Sequence, residues 1–352
     1  MRHETFLRLA LESAKVARGR CAPNPSVGAV AVRGEQILAT GYHEGPGSAH
    51  AEQMTLAKLP GQLTDVTLYV TLEPCNHWGR TPPCVDAIIQ SGIQRVVYGF
   101  ADCNPIVAKR NTPALLREQG IEVIFFPLTE INEFYESYAY WIAHQRPWIN
   151  AKLGLSLDGK IAGSGGQSLW LSNHACSQFT HAHRKKTDWV LTSAQTVIHD
   201  DPRLTVRLNG QEQGKKLAIL DRQLRLPSTA RLFEKAEKIL IFYDEGLTVT
   251  HAHPLCEYIP MPVEDKRLDL NFIVNSLGQL GAHDVWLEAG GDLFTAFHLA
   301  GLVQRTYLYL TPHVLGVGAI DAYRDKAVFQ RQHSVSWRVL DDNVLLTLNW
   351  SH

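Results

Sequence analysis

Between Glu4 and Arg18 apolar residues recur at helical spacing, at Phe6, Leu7, Leu9, Ala10, Ala14, Val16 and Ala17, and the period predicts an amphipathic helix. Two short apolar runs follow, Val27–Val32 and Gln36–Gly41, on either side of Arg33-Gly34-Glu35, and they read as a hairpin. Helical patterning returns at Ala49–Leu59, Pro83–Ser91 and Thr112–Gly120, alternating with strand-like runs at Val66–Thr71, Arg95–Gly99 and Glu122–Phe126. This alternation predicts an α/β sandwich over residues 1–145. Gln145-Arg146-Pro147 reads as a junction. After it the apolar strand Trp148–Leu155 opens a second series over residues 146–352, with strands at Trp189–Thr192, Lys216–Asp221, Lys238–Tyr243, Asp284–Glu288 and Thr306–Thr311 and a helix at Asp292–Ala300. Repeated strand–helix units predict a mostly parallel, doubly wound sheet there.

Length agrees with that division, since 352 residues suffice for two separate cores. A formal net charge of -1 removes any global electrostatic argument for a nucleic acid or a membrane surface. No apolar run approaches the ~18 residues that span a bilayer, and Met1–Arg20 mixes charges with short apolar pairs instead of forming a secretory signal, so the expected location is cytoplasmic. Six cysteines in that setting are thiols or metal thiolates rather than a disulfide scaffold. Cys21, Cys103, Cys176 and Cys256 are expected to be buried thiols. His43, His174, His181 and His183 lie outside any ligand-like spacing.

The chemistry concentrates in His50-Ala51-Glu52 and in Pro74-Cys75, followed by Cys84. A His-x-Glu with a later Pro-Cys and a further cysteine is the pattern of zinc deaminases, although here the second cysteine comes later than in the usual Cys-x-x-Cys. One imidazole and two thiolates make three zinc ligands, leaving the fourth position for a water whose pKa falls to about 7. Glu52, beside the ligands at the start of a predicted helix, is placed to carry a proton from that water to a leaving amine. Taken singly these residues are ordinary, a solvated glutamate and core thiols; their order, each at a strand–helix junction, favours one zinc per chain.

The run Cys75-Asn76-His77-Trp78-Gly79-Arg80-Thr81-Pro82-Pro83-Cys84 closely resembles the zinc loop of the bifunctional riboflavin-biosynthesis deaminase–reductases, and Pro23-Asn24-Pro25-Ser26-Val27-Gly28-Ala29-Val30 resembles a second motif of that family. The resemblance implies a cytidine-deaminase-like α/β/α sandwich with Asn24, His77 and Arg80 on the substrate side. Asn24 could instead be a turn residue between two prolines, and His77 and Arg80 could equally brace the loop. Asp102-Cys103-Asn104-Pro105 also resembles the family, but the Gly-rich turn expected after it reads Val107-Ala108-Lys109-Arg110-Asn111, without easy access to positive φ.

The resemblance continues through the second half. Lys152 to Ala162, Asp200-Asp201-Pro202-Arg203-Leu204-Thr205-Val206-Arg207, Glu288-Ala289-Gly290-Gly291-Asp292 and Pro312-His313-Val314-Leu315-Gly316 look like the matching reductase domain, a relative of dihydrofolate reductase. It implies NADPH as cofactor, with Gly154, Trp170, Thr196, Asp200, Asp221, Gly290, Gly291 and Asp292 on the cofactor side. Ser168, Arg184, Leu204, Arg207 and Glu288 fall on the side of a phosphorylated pyrimidine substrate. A glycine pair between strand and helix can hold a phosphate on backbone N–H groups, but it is not the Gly-x-Gly-x-x-Gly fingerprint of a Rossmann site. Arg184, inside His183-Arg184-Lys185-Lys186, could instead belong to a solvated basic face, and Trp170 could be core. No proton donor stands out in this half.

The implied activity is hydrolytic deamination of a diamino-phosphoribosylaminopyrimidine followed by NADPH reduction of its ribosyl group to ribityl, in a homo-oligomer, a dimer or tetramer. The alternatives are a deaminase with an inactive or repurposed second domain, a nucleic-acid deaminase, which would want a basic aromatic-lined surface, and a binding module with a degraded site, which would lack one of His50, Glu52, Cys75 and Cys84.

Overall fold

The computed structural model describes residues 2–78, 82–108 and 111–351. The chain divides into two compact units, Met1–Gln145 and Arg146–His352.

The first unit runs α1 (Arg2–Lys15), β1 (Gly28–Arg33), β2 (Gln36–Tyr42), α2 (Ala51–Leu56), β3 (Val66–Val70), α3 (Cys84–Ser91), β4 (Arg95–Tyr98), α4 (Pro105–Ala108), α5 (Thr112–Glu118), β5 (Glu122–Phe125) and α6 (Thr129–His144). Its sheet has the order β2-β1-β3-β4-β5, with β1 antiparallel to both β2 and β3, and β3, β4 and β5 parallel. The apolar stripe of α1 buries Phe6, Leu7, Ala10, Leu11 and Ala14 on one face of the sheet, together with Ile131, Phe134 and Tyr135 of α6. On the other face α2 and α3 close over Ala29, Ala31, Leu68 and Val96. One glycine sets how closely α2 can approach: a Cβ at Gly41 of β2 would lie 2.5 Å from Thr55 Oγ1 and 2.9 Å from the Ala51 carbonyl. The start of α2 is thereby held tight against the sheet.

The second unit runs β6 (Trp148–Ser156), β7 (Lys160–Ala162), α7 (His174–Lys186), β8 (Trp189–Ser193), α8 (Ala194–Asp200), β9 (Val206–Leu208), β10 (Gln211–Gln213), β11 (Lys216–Leu220), β12 (Lys238–Asp244), β13 (Cys256–Met261), β14 (Val263–Glu264), β15 (Arg267–Leu268), α9 (Leu270–Gln279), β16 (Asp284–Glu288), α10 (Gly291–Leu299), β17 (Arg305–Thr311), β18 (Ile320–Asp321), β19 (His333–Leu340) and β20 (Asn343–Trp350). Its sheet has the order β13-β12-β11-β8-β16-β6-β17-β20-β19. The seven strands from β13 to β17 are parallel, and the β19–β20 hairpin adds an antiparallel edge. Near-continuous apolar runs such as Val190-Leu191 and Ile239–Phe242 are buried, as strands covered on both faces require. Among the described residues no helix is long and apolar enough to cross a membrane.

The C-terminal strand is tied inward by a chain of polar contacts. Trp350 Nε1 donates to Thr306 Oγ1 at 2.8 Å. The Thr306 hydroxyl then donates to His298 Nε2 at 2.7 Å, and His298 Nδ1–H donates to the Phe294 carbonyl at 2.7 Å. This pattern needs a neutral ring. Burial of His298 pushes its pKa from 6.5 down to about 4. As pH falls below 6.5 the unfolded chain takes up a proton that the folded state refuses until about pH 4, so stability is lost at about 1.4 kcal/mol per pH unit over that window. Urea midpoints of the wild type should therefore drop more steeply between pH 6.5 and 5 than those of His298→Gln; equal slopes would refute this account.

Candidate active sites

In the first unit three junctions converge. His50 is the N-cap residue of α2, Cys75 follows β3, and Cys84 is the first residue of α3. His50 Nδ1 lies 3.2 Å from Cys84 Sγ and 3.4 Å from Cys75 Sγ, and the three atoms fall within 4.8 Å of one another. A tetrahedral zinc with bonds of about 2.0–2.3 Å separates N and S ligands by about 3.5 Å, so the donor set fits a zinc ion in both chemistry and spacing. Hydrogen bonds from Cys84 and from His50 hold the Cys75 thiol down at about 4, giving a thiolate ready for a cation.

Glu52, in the first turn of α2, is 3% exposed. Burial pushes its carboxyl up to about 7, where it can both accept and release a proton near neutrality. Asn24 is half-buried, and its Nδ2 lies 3.2 Å from His43 Nε2. The His43 ring stands edge-on to that of His50, centroids 5.4 Å apart. His77 follows Cys75 by two residues, and its Nδ1 is buried with no partner among the described residues. Trp78 beside it is 72% exposed. Arg80 lies outside the described residues, as do Lys109 and Arg110 of the altered loop.

The second unit gathers charge on one face of its sheet. Lys152 of β6 is directly opposite Glu288 of β16 and Tyr307 of β17, so the three side chains share a face with Gly154, two residues on. Arg184 of α7 grips Glu288 with two bonds, Nε to Oε1 at 2.5 Å and Nη2 to Oε2 at 2.9 Å, and sends Nη1 to the Thr205 carbonyl at 2.8 Å. Trp286 Nε1 also donates to Glu288 Oε1, at 2.8 Å. Burial pushes the Glu288 carboxyl up, but Arg184 and Lys152 outweigh it and hold the pKa at about 2. The Lys152 ammonium is lowered by burial, with Glu288 opposing, and its Nζ lies 5.2 Å from the Tyr309 ring centre. Arg207 adds a third cation, lowered by burial and by Arg184. Lys152, Arg184 and Arg207 against Glu288 and Glu212 leave an excess of positive charge, which suits an anionic ligand.

Other sequence-predicted residues fall into distinct surroundings. Arg184 is buried in an ion pair, not on a solvated basic face, because α7 turns that side toward the sheet while Lys185 and Lys186 face out. Trp170 is 79% exposed, which excludes core packing, and Ser168 shares its exposed loop. A Cβ at Gly154 or Gly290 would meet nothing within 4 Å, leaving room for a ligand, whereas one at Gly291 would strike the Ala322 carbonyl at 2.6 Å. Packing therefore excludes a side chain at Gly291, so only its backbone can face a ligand. Asp292 pairs with Arg324 at 2.7 Å. Thr196 sits in the first turn of α8, its N–H donating to Ser193 Oγ at 3.2 Å. Asp200 ends that helix exposed, while Asp201 adopts a positive φ of 39° and receives the Arg231 N–H at 2.9 Å. Leu204 also has a positive φ, 53°, and buries its side chain, so only its backbone can face a ligand. The Asp221 carboxylate accepts the Arg225 and Leu226 amides at 2.9 and 2.7 Å, ordering the turn after β11.

Lys152 and His43 were not singled out by residue type or spacing. The strand pairing that seats Lys152 beside Glu288 joins residues far apart in the chain, and His43 acquires its neighbours only through the fold.

A sequence profile described as "RibD C-terminal domain" matches residues 147–346, and one described as "Cytidine and deoxycytidylate deaminase zinc-binding region" matches residues 1–100. The chain is 37% identical to riboflavin biosynthesis protein RibD of Aquifex aeolicus over 90% of its own length and 88% of the relative's. It is 33% identical to the RibD protein of Escherichia coli, covering 91% and 90% of the two chains. Among solved structures it superimposes on a Thermotoga maritima diaminohydroxyphosphoribosylaminopyrimidine deaminase/5-amino-6-(5-phosphoribosylamino)uracil reductase with a TM-score of 0.87 at 32% identity, over 99% of both chains. RibD of Acinetobacter baumannii matches with a TM-score of 0.85 at 29% identity, again over 99% of both.

Proposed function

The chain belongs to the RibD family of riboflavin-biosynthesis proteins, and from that premise we propose how its residues divide the work. It is a bifunctional enzyme of riboflavin biosynthesis, a zinc-dependent deaminase and an NADPH-dependent reductase. Residues 1–145 deaminate 2,5-diamino-6-(5-phosphoribosylamino)pyrimidin-4-one, and residues 146–352 reduce the ribosyl group of the resulting aminouracil to ribityl.

The observation that carries the deaminase assignment is the convergence of His50 Nδ1, Cys75 Sγ and Cys84 Sγ within 4.8 Å beside a buried glutamate. His50, Cys75 and Cys84 would hold a zinc ion, which when bound would lower the pKa of a water to about 7 and so provide the nucleophile. Glu52 takes the proton of the attacking water and returns it to the amine as the C–N bond breaks, so ammonia leaves neutral. Asn24 contacts the pyrimidine, while His77 and Arg80 hold the ribose or phosphate, with Arg80 on the phosphate.

For the second reaction NADPH supplies the hydride. The protein orients the open-chain imine and provides the proton that its nitrogen needs as the adjacent carbon is reduced. Lys152 is the group we assign to that proton: an ammonium lowered by burial, directly opposite Glu288 on the neighbouring strand and two residues from the open space at Gly154. Arg207 and Ser168 bind the substrate phosphate, with Arg184, Glu288 and the Leu204 backbone shaping its pocket. Gly154, Trp170, Thr196, Asp200, Asp221, Gly290, Gly291 and Asp292 line the cofactor side, the last three through the turn into α10.

A homo-oligomer is supported by the edge strand β19, where Val335, Trp337 and Val339 are exposed on one side, beside an apolar trough between Leu308, Tyr323 and Phe329. A cytoplasmic setting accords with six free cysteines, and cell fractionation tests it. One preparation tests the rest: it should contain one zinc per chain, lost in Cys84→Ala, sediment above the 39.4 kDa of a monomer, and oxidise NADPH on receiving the diaminopyrimidine, only after ammonia appears. Zinc without NADPH oxidation, even when the deaminated intermediate is supplied, would leave a deaminase with a repurposed second unit. Absence of both zinc and turnover would overturn the assignment.

A further inference from the structure

The hydrogen bonds around His43 leave one arrangement of protons. The side chain is buried, 2% exposed. Its Nδ1 lies 3.3 Å from the Ala49 carbonyl, which can only accept. Nδ1 also lies 3.2 Å from Ser48 Oγ, whose own proton is directed to the Gly45 carbonyl at 2.7 Å. Both neighbours call for a donor, so the proton sits on Nδ1 and Nε2 carries a lone pair. Nε2 faces Asn24 Nδ2 at 3.2 Å and therefore accepts an amide N–H. Were the amide turned over, two acceptors would face each other. Asn24 thus has its NH2 group turned to His43 and its Oδ1 on the opposite branch, and among the described residues none donates to that oxygen. The Asn24 amide stands one imidazole away from the metal ligand His50.

We propose that His43 is a positioning residue that fixes the polarity of Asn24, so that the deaminase site offers an oxygen acceptor to a ring N–H of its substrate. The inference rests on the deaminase reading given above and adds the direction in which the ring enters. In the 4-oxo pyrimidine one ring nitrogen carries a hydrogen and lies between the carbonyl carbon and the carbon whose amine is displaced. The other ring nitrogen is a bare acceptor. Asn24 Oδ1 attracts the first and repels the second, which selects one of the two faces of entry for the reacting carbon. Spacing alone could not reveal this role, because it needs Asn24, His43, Ser48 and Ala49 brought together.

Two measurements on the full-length zinc-loaded protein test it. Imidazole 15N shifts, with the His43 signals assigned by their loss in His43→Gln, should report a proton on Nδ1 and a bare Nε2; a proton on Nε2 overturns the proposal whatever the activity. In deamination assays His43→Ala and Asn24→Ala should each raise KM by about tenfold with a smaller change in kcat and unchanged zinc content. The double variant should be no worse than Asn24→Ala, and His43→Gln, whose Oε1 can accept the same N–H, should recover most of the loss. A substrate methylated at the ring N–H should be discriminated against by the wild type and much less by His43→Ala. Losses that multiply in the double variant, or equal discrimination in the two proteins, overturn the proposal. A zinc-loaded wild type that does not deaminate defeats the deaminase reading instead, and the imidazole shifts then decide the Asn24 polarity by themselves.

Discussion

Glu52→Gln should keep one zinc per chain and lose deaminase activity by about 10²–10⁴-fold, the range that a positioned proton carrier contributes. The replacement has nearly the same shape, so the packing of a side chain that is 3% exposed survives. The ligands His50, Cys75 and Cys84 are untouched. What disappears is the ability to take a proton from water and pass it to the leaving amine. The carboxyl is poised for both halves of that transfer because burial lifts it to about 7; an amide can do neither. The check is ammonia release together with elemental analysis, and NADPH oxidation with the deaminated intermediate supplied directly as an internal control. A Gln variant that still deaminates would remove Glu52 from the proton path.

The second large effect is expected at Lys152. Lys152→Met should lower NADPH-dependent reduction by about 10²–10⁴-fold, with ammonia release intact and thermal stability little changed. Removing this ammonium leaves Glu288 still bound by Arg184 and Trp286, so no buried charge is stranded. Arg184→Met is the contrasting variant. It strips Glu288 of its bidentate partner, with side-chain exposures of only 9% and 14% for the pair, and breaking such a pair costs about 3–5 kcal/mol of stability. Activity lost without stability at 152, and stability lost at 184, separates a proton donor from a scaffold of charges. A Lys152→Met enzyme with normal turnover would end the assignment.

The parts of the fold that could be read from the chain are those in which local pattern and tertiary demand agree. The apolar stripe of α1, the hairpin at Gly34 and the parallel strands of the second unit all follow their periods. The β19–β20 hairpin is harder to recognise because β19 shows no alternation in burial: every residue from Ser334 to Val339 is exposed, apolar and polar alike. The buried stripe of α6, Ile131, Phe134, Tyr135 and Tyr138, is interrupted by enough polar residues to look like a loop. In the sites, His50, Glu52, Cys75 and Cys84 are legible because few other chemistries use those types in that order. The burial of Arg184 is not, since a run of four basic residues carries no sign of which one turns inward. Nor is the strain at Leu204, where an apolar residue adopts a positive φ of 53° that its type disfavours.

The strand order of the second unit also bears on how the protein is made. β6 leaves the ribosome as the first strand of its sheet, yet both of its neighbours, β16 and β17, are encoded more than a hundred residues later. At about 5–20 residues per second, the nascent chain carries an unpaired apolar strand for about 6–25 s before β16 emerges. The N-terminal unit can meanwhile complete its own sheet from strands that are close neighbours in sequence. The segment most in need of shielding during synthesis is therefore the one that carries Lys152 and Gly154, and the centre of the second sheet is among the last parts of the molecule to close.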